Sequence, residues 1–233
     1  MPPRLILWDV DGTLLRSSRL TRDVFDTAVE KALGRPPGEH GVAMSGKTDP
    51  VIALEILAAA GVTDDEARRH LPGVIQRLEA DLAAAADTVR RNGQVLPGVA
   101  AILPRLHAEP DVVQTVLTGN TAANAAVKLD AMGLDRWLDL EVGAYGSDDA
   151  DREALVPVAR RRARERHGRD FSPDQVWVVG DTPGDLACAR AGGARCLLVA
   201  TGTFPLEELE AAGPDHLLAD LSDVDGVCRL LTS

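Results

Sequence analysis

The stretch that most constrains the fold of this chain is RLILWDVDGTL, at residues 4–14. Up to Trp8 it is an apolar run of strand length without polar alternation, which is typical of a strand buried on both faces of a sheet. Two aspartates, Asp9 and Asp11, follow directly. Carboxylates at the end of a buried strand are costly unless cations or hydrogen bonds compensate them. The pair is therefore a candidate site, although an Asp-Gly dipeptide also fits an ordinary turn.

The composition narrows the class of protein. A length of 233 residues suits one large or two small domains. The net charge of −11 argues against non-specific binding to nucleic acid or to anionic membranes. The 3 widely spaced cysteines fit neither a disulfide framework nor a zinc site, and no window approaches the roughly 18 apolar residues of a membrane span. Because the N-terminus also lacks a signal-peptide pattern, we expect a cytoplasmic protein, either a monomer or a homodimer.

Two kinds of pattern divide the chain. Between about Arg16 and Gln94 it is helical throughout, with separate helices expected near 64–70 and at 74–91. From there on, strands and helices alternate, which predicts an α/β fold with a parallel sheet covered by helices on both faces. The strands after the helical block are expected at 112–117, 138–142, 175–179, 196–200 and 216–218. We therefore expect a core of residues 1–15 and 96–233 and an inserted all-α domain of residues 16–95.

Three of the predicted strands end in polar residues. Besides the first strand, with Asp9 and Asp11, one is followed by Thr118-Gly119-Asn120 and another by Gly180-Asp181. In open parallel sheets, ligands bind beyond the carboxyl ends of the strands, where the strand order reverses. An ordinary sheet needs none of these groups, so their coincidence predicts one shared site.

Residues 41–48, GVAMSGKT, fit the phosphate-binding P-loop pattern. That motif requires a buried strand immediately before its first glycine, and the preceding LGRPPGEH cannot form a central strand. The alternatives are a loop in which Thr48 or Asp49 caps the next helix, and a loop that presents Lys47 to a substrate.

With the three strand ends in view, the chain resembles the haloacid dehalogenase-like superfamily, and within it the phosphoglycolate-phosphatase-like members with a helical (C1-type) cap. The matching segments are Asp9-Val10-Asp11-Gly12-Thr13 for motif I, Leu117-Thr118-Gly119-Asn120 for motif II and Gly180-Asp181-Thr182-Pro183-Gly184-Asp185 for motif IV. The resemblance covers essentially the whole chain. It implies a Rossmann-like three-layer α/β/α core and a cap inserted after the first strand.

Hydrolysis of a phosphate ester needs a nucleophile, an acid for the leaving oxygen and positive charge around the transferred group. The Asp9 carboxylate is suited to the attack, and the resemblance implies an aspartyl-phosphate intermediate. Asp11 can protonate the leaving oxygen and then deprotonate the attacking water. Gly12 lets the chain turn and bring amides toward the phosphate. Thr118, Gly119 and Asn120 can hydrogen-bond the phosphoryl oxygens.

Clustered carboxylates cannot face a phosphate without a compensating cation, and Mg²⁺ with oxygen ligands would supply it. The resemblance implies that the Asp9 side chain, the Asp11 carbonyl and Asp181 hold the ion, with support from Asp185. A basic residue, usually lysine in the family, belongs before motif IV. Arg152 matches its place in the topology. Lys128, on the helix directly after motif II, is the other candidate for this residue and otherwise fits a solvated helix position.

The sequence thus predicts a Mg²⁺-dependent phosphatase of a small phosphorylated metabolite, with Lys47 of the cap as a substrate contact. Asp11 favours phosphoryl transfer, because dehalogenases of the superfamily lack this acid. Two alternatives stay open: a phosphomutase of the same fold, and a non-catalytic binding domain built on the scaffold.

Overall fold

The computed structural model describes residues 2–17 and 20–233 of the chain. The strands are β1 (Arg4–Trp8), β2 (Leu15–Arg16), β3 (Gln94–Val95), β4 (Val112–Thr118), β5 (Ala144–Tyr145), β6 (Val176–Gly180), β7 (Arg195–Val199) and β8 (His216–Leu218). The helices are α1 (Leu20–Leu33), α2 (Asp49–Ala59), α3 (Asp64–Ala84), α4 (Ala86–Asn92), α5 (Val99–His107), α6 (Ala122–Met132), α7 (Leu155–His167), α8 (Pro183–Ala191), α9 (Leu206–Ala212) and α10 (Val224–Thr232). Short 3₁₀ turns lie at Asp135–Trp137, Leu140–Val142, Arg152–Ala154 and Pro173–Gln175.

The main sheet has the strand order β5-β4-β1-β6-β7-β8, and all of its neighbouring strands are parallel. β1 lies in the middle, where Trp8 pairs with Val116 of β4 on one side and with Val179 of β6 on the other. The chain builds one half of the sheet on one side of β1 and then crosses to the other side. The strand order therefore reverses at β1, and ligands of such sheets bind at this point.

Alternate residues of β1 enter two separate hydrophobic clusters. Ile6 and Trp8 pack with side chains of α5, α6 and α10, whereas Leu5 and Leu7 pack with side chains of α7, α8 and α9. Because strand side chains alternate between faces, the sheet is covered on both sides. This confirms the predicted three-layer α/β/α core with a parallel sheet.

Helices α1 to α4 form a helical block with a hydrophobic cluster of its own. Phe25 of α1, Ile56 of α2 and Leu78 of α3 are buried together in it, and Ala131 of α6 joins from the sheet side. The chain enters and leaves the block through β2 and β3, an antiparallel pair in which Leu15 pairs with Val95. β2 spans the first boundary expected from the sequence, and β3 ends at the second. The division into a core and a cap stays a prediction.

Two details of the predicted elements are wrong. The separate helices expected near 64–70 and at 74–91 are instead α3, which runs through Pro72 to Ala84, followed by α4 after a break at Ala85. Ala67, Val74, Leu78 and Leu82 of α3 are buried on one continuous stripe, so packing holds the helix together across the proline.

The strand expected at 138–142 is also wrong, because this segment forms the 3₁₀ turn Leu140–Val142. The Asp139 carboxylate accepts a hydrogen bond from the Glu141 amide and so stabilises the turn. The sheet instead gains β5 two residues later. Among the described residues, no helix has both the length and the apolar character that crossing a membrane requires.

Candidate active site

The polar residues at the ends of β1 and β4 line a cavity of about 640 Å³ between the sheet and the helical block. From the sheet side its walls include Asp9, Asp11, Thr118, Gly119, Asn120, Lys128 and Arg152. From the helical block they include Arg22, Phe25, Met44, Lys47, Asp49 and Ile52. Residues at two of the three expected strand ends therefore lie together at the switch point of the sheet, and Asp181, at the third, lies beside Asp9.

Three buried carboxylates form a cluster at one wall of the cavity, which Asp9 lines. Asp9, Asp181 and Asp185 each present an oxygen, and these oxygens lie within 4.8 Å of one another. Asp185 is held rigidly, because its Oδ2 accepts hydrogen bonds from the amides of Asp181 and Thr182, at 3.2 and 3.0 Å. The Thr182 hydroxyl donates to the same oxygen at 2.7 Å. Three acidic oxygens at this spacing suit a hard divalent cation.

Arg152 supplies positive charge to this triad. Its Nη2 donates to Asp9 Oδ1 at 2.7 Å and also to Asp185 Oδ1. The guanidinium is buried, and its Nε has no hydrogen-bond partner within the described residues. Burial works against its charge, but the attraction of Asp185 and Asp9 outweighs this and raises the pKa of Arg152. An arginine in such a place stays charged and keeps a donor available for a further acceptor.

Arg152 alone does not supply enough positive charge to keep both Asp9 and Asp181 ionised at neutral pH. Burial, together with repulsion from Asp185, raises the pKa of Asp9 to about 7 even though Arg152 opposes the shift. Burial and repulsion from Asp9 and Asp185 raise the pKa of Asp181 to about 9. A bound divalent cation would stabilise the ionised forms of both groups. The donor set and its electrostatics therefore fit a metal.

Asp11 belongs to a different network from Asp9. Its Oδ2 accepts from Lys128 Nζ at 2.5 Å and from Asn120 Nδ2 at 2.9 Å, and its Oδ1 accepts from the Ser17 hydroxyl at 2.6 Å. Burial alone would raise the pKa of Asp11, but the Lys128 charge and these hydrogen bonds lower it below its ordinary value. Two carboxyl groups two residues apart therefore have pKa values shifted in opposite directions.

Lys128 is buried, which contradicts its interpretation as a solvated helix residue. Besides Asp11, its Nζ donates to Asn120 Oδ1 at 2.7 Å. The long side chain reaches back from α6 toward the strand end, because helix side chains point toward the N-terminus of their helix. Both candidates for the basic residue before motif IV thus lie in the site, Arg152 at Asp9 and Lys128 at Asp11. The assignment of that role to Arg152 stays a prediction.

The loop after β4 is shaped by short contacts. The Thr118 hydroxyl accepts from the Asn120 amide nitrogen at 3.2 Å and from Asn120 Nδ2 at 2.8 Å. At Gly119 an added Cβ would lie 2.0 Å from the Lys47 carbonyl oxygen, so only glycine allows the helical block to approach this closely. Thr118, Gly119 and Asn120 line the cavity, but their contact with a phosphate stays a prediction.

Gly12 forms the turn after the two aspartates. Its φ is +92°, and an added Cβ would lie 2.4 Å from Asp181 Oδ2. Its amide donates to the Leu15 carbonyl at 2.8 Å, so in this structure the amide is used within the turn. The tight turn expected at Gly12 is present, whereas its contact with phosphate stays a prediction.

The segment that resembles a P-loop precedes α2, and the described residues directly before it, 33–40, form no strand. Lys47 faces the cavity with its Nζ 2.5 Å from Glu55 Oε2. The expectation that Thr48 or Asp49 caps α2 is wrong for both side chains. Thr48 occupies the N-cap position but donates its hydroxyl to the Ala150 carbonyl at 2.9 Å. Asp49 contacts α6 instead.

Sequence reasoning missed three contributors to the site. The Thr13 hydroxyl donates to Asp181 Oδ1 at 3.0 Å, Ser17 binds Asp11, and Asp49 bonds to the start of α6. Thr13 follows Asp11-Gly12 directly, so its position next to the motif was a usable signal. The other two contacts depend on how the helical block lies on the sheet, which no local pattern shows.

A family model described as haloacid dehalogenase-like hydrolase matches residues 6–190, most of the chain. The chain belongs to this family. The resemblance inferred from the three strand ends is thereby confirmed, and so is the class of enzyme, a hydrolase.

Named relatives and solved structures extend this similarity to nearly the whole chain. The "Putative pyrophosphatase PpaX" of Caldanaerobacter subterraneus is 26% identical over 226 residues, covering 93% of this chain and 90% of that protein. The phosphoglycolate phosphatase of Rhodospirillum rubrum is 27% identical over 229 residues, covering 95% and 90%. A crystal structure titled as a "predicted phosphatase" from Clostridium acetobutylicum has the same fold, with a TM-score of 0.70 at 18% identity and coverage of 100% and 99%.

Proposed function

We propose that the chain is a Mg²⁺-dependent phosphatase that hydrolyses a small phosphorylated metabolite through a phosphoryl group carried on Asp9. The proposal rests on one observation: Asp9 and Asp11 both follow β1, but their side chains belong to separate networks of hydrogen bonds and ion pairs. Asp9 lies with the metal-suited triad and Arg152, whereas Asp11 is held by Lys128, Asn120 and Ser17. Two carboxyl groups in such different surroundings suit two different roles.

In the first step, an oxygen of the Asp9 carboxylate attacks the phosphorus atom, and the bond from phosphorus to the leaving oxygen breaks. Asp11 donates a proton to that leaving oxygen. In the second step, Asp11 takes a proton from a water molecule that attacks the same phosphorus, and the bond to Asp9 breaks. Because the pKa of Asp11 is lowered, this group is ionised at neutral pH, as the second step requires. The negative charge of an arriving phosphate favours its protonation for the first step.

Asp9, Asp181 and Asp185 would hold the metal, with the Asp11 carbonyl as a further ligand. A bound Mg²⁺ supplies positive charge that stabilises the transferring phosphoryl group. Arg152 adds a charged donor at Asp9 Oδ1, and its Nε is a buried donor that a phosphoryl oxygen can satisfy. Thr118, Gly119 and Asn120 would bind the remaining oxygens, and the turn at Gly12 would bring neighbouring amides toward the phosphate.

The helical block supplies the wall that contacts the leaving group, and we assign it, at residues 16–95, as a cap over the core. Phe25, Met44 and Ile52 give this wall apolar surface, and Lys47 and Arg22 give it positive charge. Such a mixture suits a small organic phosphate and separates it from bulk water. The phosphatase names of relatives support this class of substrate without fixing which compound is used.

The test is phosphate release by the purified protein from a generic aryl phosphate and from a panel of phosphorylated metabolites, with and without Mg²⁺. We expect release that depends on Mg²⁺ and that Asp9→Asn abolishes. Asp64→Asn, at the exposed start of α3, is the matched control and should keep full activity. A product that retains its phosphoryl group at a new position would indicate a phosphomutase. No turnover of any compound in the panel would sink the proposal.

A further inference from the structure

Asp49 is a buried acidic residue at the first position of α2 in the helical block, and its carboxylate bonds to a helix of the core. Its Oδ2 accepts from the Thr121 amide at 2.9 Å and from Asn124 Nδ2 at 2.8 Å. Thr121 is the N-cap residue of α6 and Asn124 lies in its first turn. Asp49 therefore caps a helix that is 72 residues away in sequence and lies across the cavity.

The backbone around Asp49 makes two further contacts with the core. The Asp49 amide donates to the Gly119 carbonyl at 2.7 Å, and the Thr48 hydroxyl donates to the Ala150 carbonyl at 2.9 Å. The close approach at Gly119 leaves no room there for a side chain. Asp49 is thus bonded to the residues just before and just after Asn120, on the loop that lines the cavity.

Burying the Asp49 carboxylate costs free energy, which stabilising α2 alone would not require. Burial raises the pKa of Asp49, which means that the surroundings disfavour its charge. The positive charge of Lys128 and the hydrogen bonds from the Thr121 amide and the Asn124 side chain offset part of this cost. An exposed polar residue at the start of α2 would stabilise α2 equally well. The contact therefore serves the alignment of α2 with α6.

We infer that Asp49 is a positioning residue, which holds the helical block against the loop after β4 and so fixes Gly119, Asn120 and Lys128 in their places around Asp11. Asn120 directly precedes Thr121, whose amide donates to Asp49. Lys128 lies on α6, the helix that Asp49 caps. This inference rests on the proposed phosphatase function for its catalytic consequence, while the contact itself can be tested without turnover.

The catalytic test compares Asp49→Ala, Asp49→Asn and Asn124→Ala, with Asp64→Ala as the control, since Asp64 is likewise the first residue of a cap helix but is exposed. We expect Asp49→Ala to lower kcat with aryl phosphate at least about tenfold, since misplaced reacting groups cost rate. Asp49→Asn should restore much of the loss, because its side-chain oxygen still accepts. In a double-mutant cycle, Asn124→Ala should add less than about twofold to Asp49→Ala.

The structural test is amide hydrogen exchange of the wild type and of Asp49→Ala, followed on peptides that span residues 119–125. We expect faster exchange there in Asp49→Ala and no change in Asp64→Ala. Unchanged exchange, or fully additive losses in the cycle with Asn124→Ala, would overturn the inference even in an active phosphatase. If the wild type itself hydrolyses nothing in the panel, the proposed function fails and the exchange measurement alone decides on the contact.

Discussion

The Nζ of Lys128 lies 2.5 Å from Oδ2 of Asp11, and the Lys128 side chain is 2% exposed. The same ammonium donates to Asn120, which in turn donates to Asp11, so the three side chains form a closed network. Asp11 thereby has a fixed position and a lowered pKa, while Asp9, on the same strand end, has a raised one. In the mechanism we propose, this difference in environment separates the acid and base, Asp11, from the nucleophile, Asp9.

Replacement of Lys128 by Met should lower kcat about 100-fold, a loss typical of removing one charged donor from a catalytic network. It should also move the ascending limb of the pH–rate profile to higher pH. Lys128 lowers the pKa of Asp11, so without it Asp11 becomes ionised only at higher pH. An aryl phosphate is the substrate to use, because its leaving group needs no proton. The ascending limb of the profile then reflects the ionisation of Asp11, which acts as a base. Lys31→Met, on the exposed face of α1, is the control, and an unshifted limb in Lys128→Met would contradict this account.

The three strands that end in polar residues were readable from the sequence because their signals are local. The buried run before Asp9 shows where β1 ends, and the polar residues after β4 and β6 follow directly in the chain. Since the carboxyl ends of parallel strands lie at the same edge of a sheet, these three segments were expected to lie close together. The same reasoning could not show that Lys128 reaches them, because Lys128 lies eight positions beyond Asn120, on α6, and no local pattern shows the direction of its side chain.

The contacts made by the helical block were beyond prediction for a related reason. Asp49 and Ser17 bond to groups on other elements, and their partners depend on how that block lies on the sheet. Asp49 resembles an ordinary first-turn acid of α2 in sequence, yet its bonds are to α6. Likewise, Pro72 resembles a helix end, and only the buried stripe along α3 shows why the helix continues.

Asp181→Asn should raise the Mg²⁺ concentration for half-maximal activity at least about tenfold, because it removes one of the three acidic oxygens of the triad. The measurement is a Mg²⁺ titration of initial rates after removal of metal with a chelator. Asp64→Asn provides a control of equal charge change at an exposed position. Equal half-saturation values for the wild type and Asp181→Asn would rule out Asp181 as a ligand.

Without metal, the protein should lose thermal stability as the pH rises from about 6 to 9. The pKa values of Asp9 and Asp181 are raised in the folded protein, to about 7 and about 9, so their protonated forms favour folding. That contribution is complete below the ordinary pKa of a carboxyl group and is lost as the pH passes through the raised values. Melting curves across this range should fall less steeply for Asp181→Asn, which cannot titrate. Saturating Mg²⁺ should remove most of the fall in the wild type, and parallel curves for all three samples would refute the explanation.

Glu55 should weaken the contact between Lys47 and an anionic leaving group, since Glu55 Oε2 already accepts from Lys47 Nζ. Lys47→Met should raise KM about fivefold for a phosphate ester that carries a carboxylate, the effect of one partly exposed charge contact. Glu55→Gln should lower KM for the same ester by leaving Lys47 uncompensated. An ester with a neutral leaving group should respond to neither change. A KM that stays constant in both variants for both esters would exclude Lys47 from the substrate site.

The central claim is that Asp9 carries the phosphoryl group and Asp11 completes its hydrolysis. Asp11→Asn tests it most directly, because this variant keeps the nucleophile and removes the base, and an aryl leaving group needs no acid. Rapid mixing with aryl phosphate and Mg²⁺ should release a burst of one phenolate per active site. The acid-quenched protein should then carry a phosphoryl group on the peptide that contains Asp9. A burst without phosphorylation of that peptide, or undiminished steady turnover in Asp11→Asn, would contradict the account.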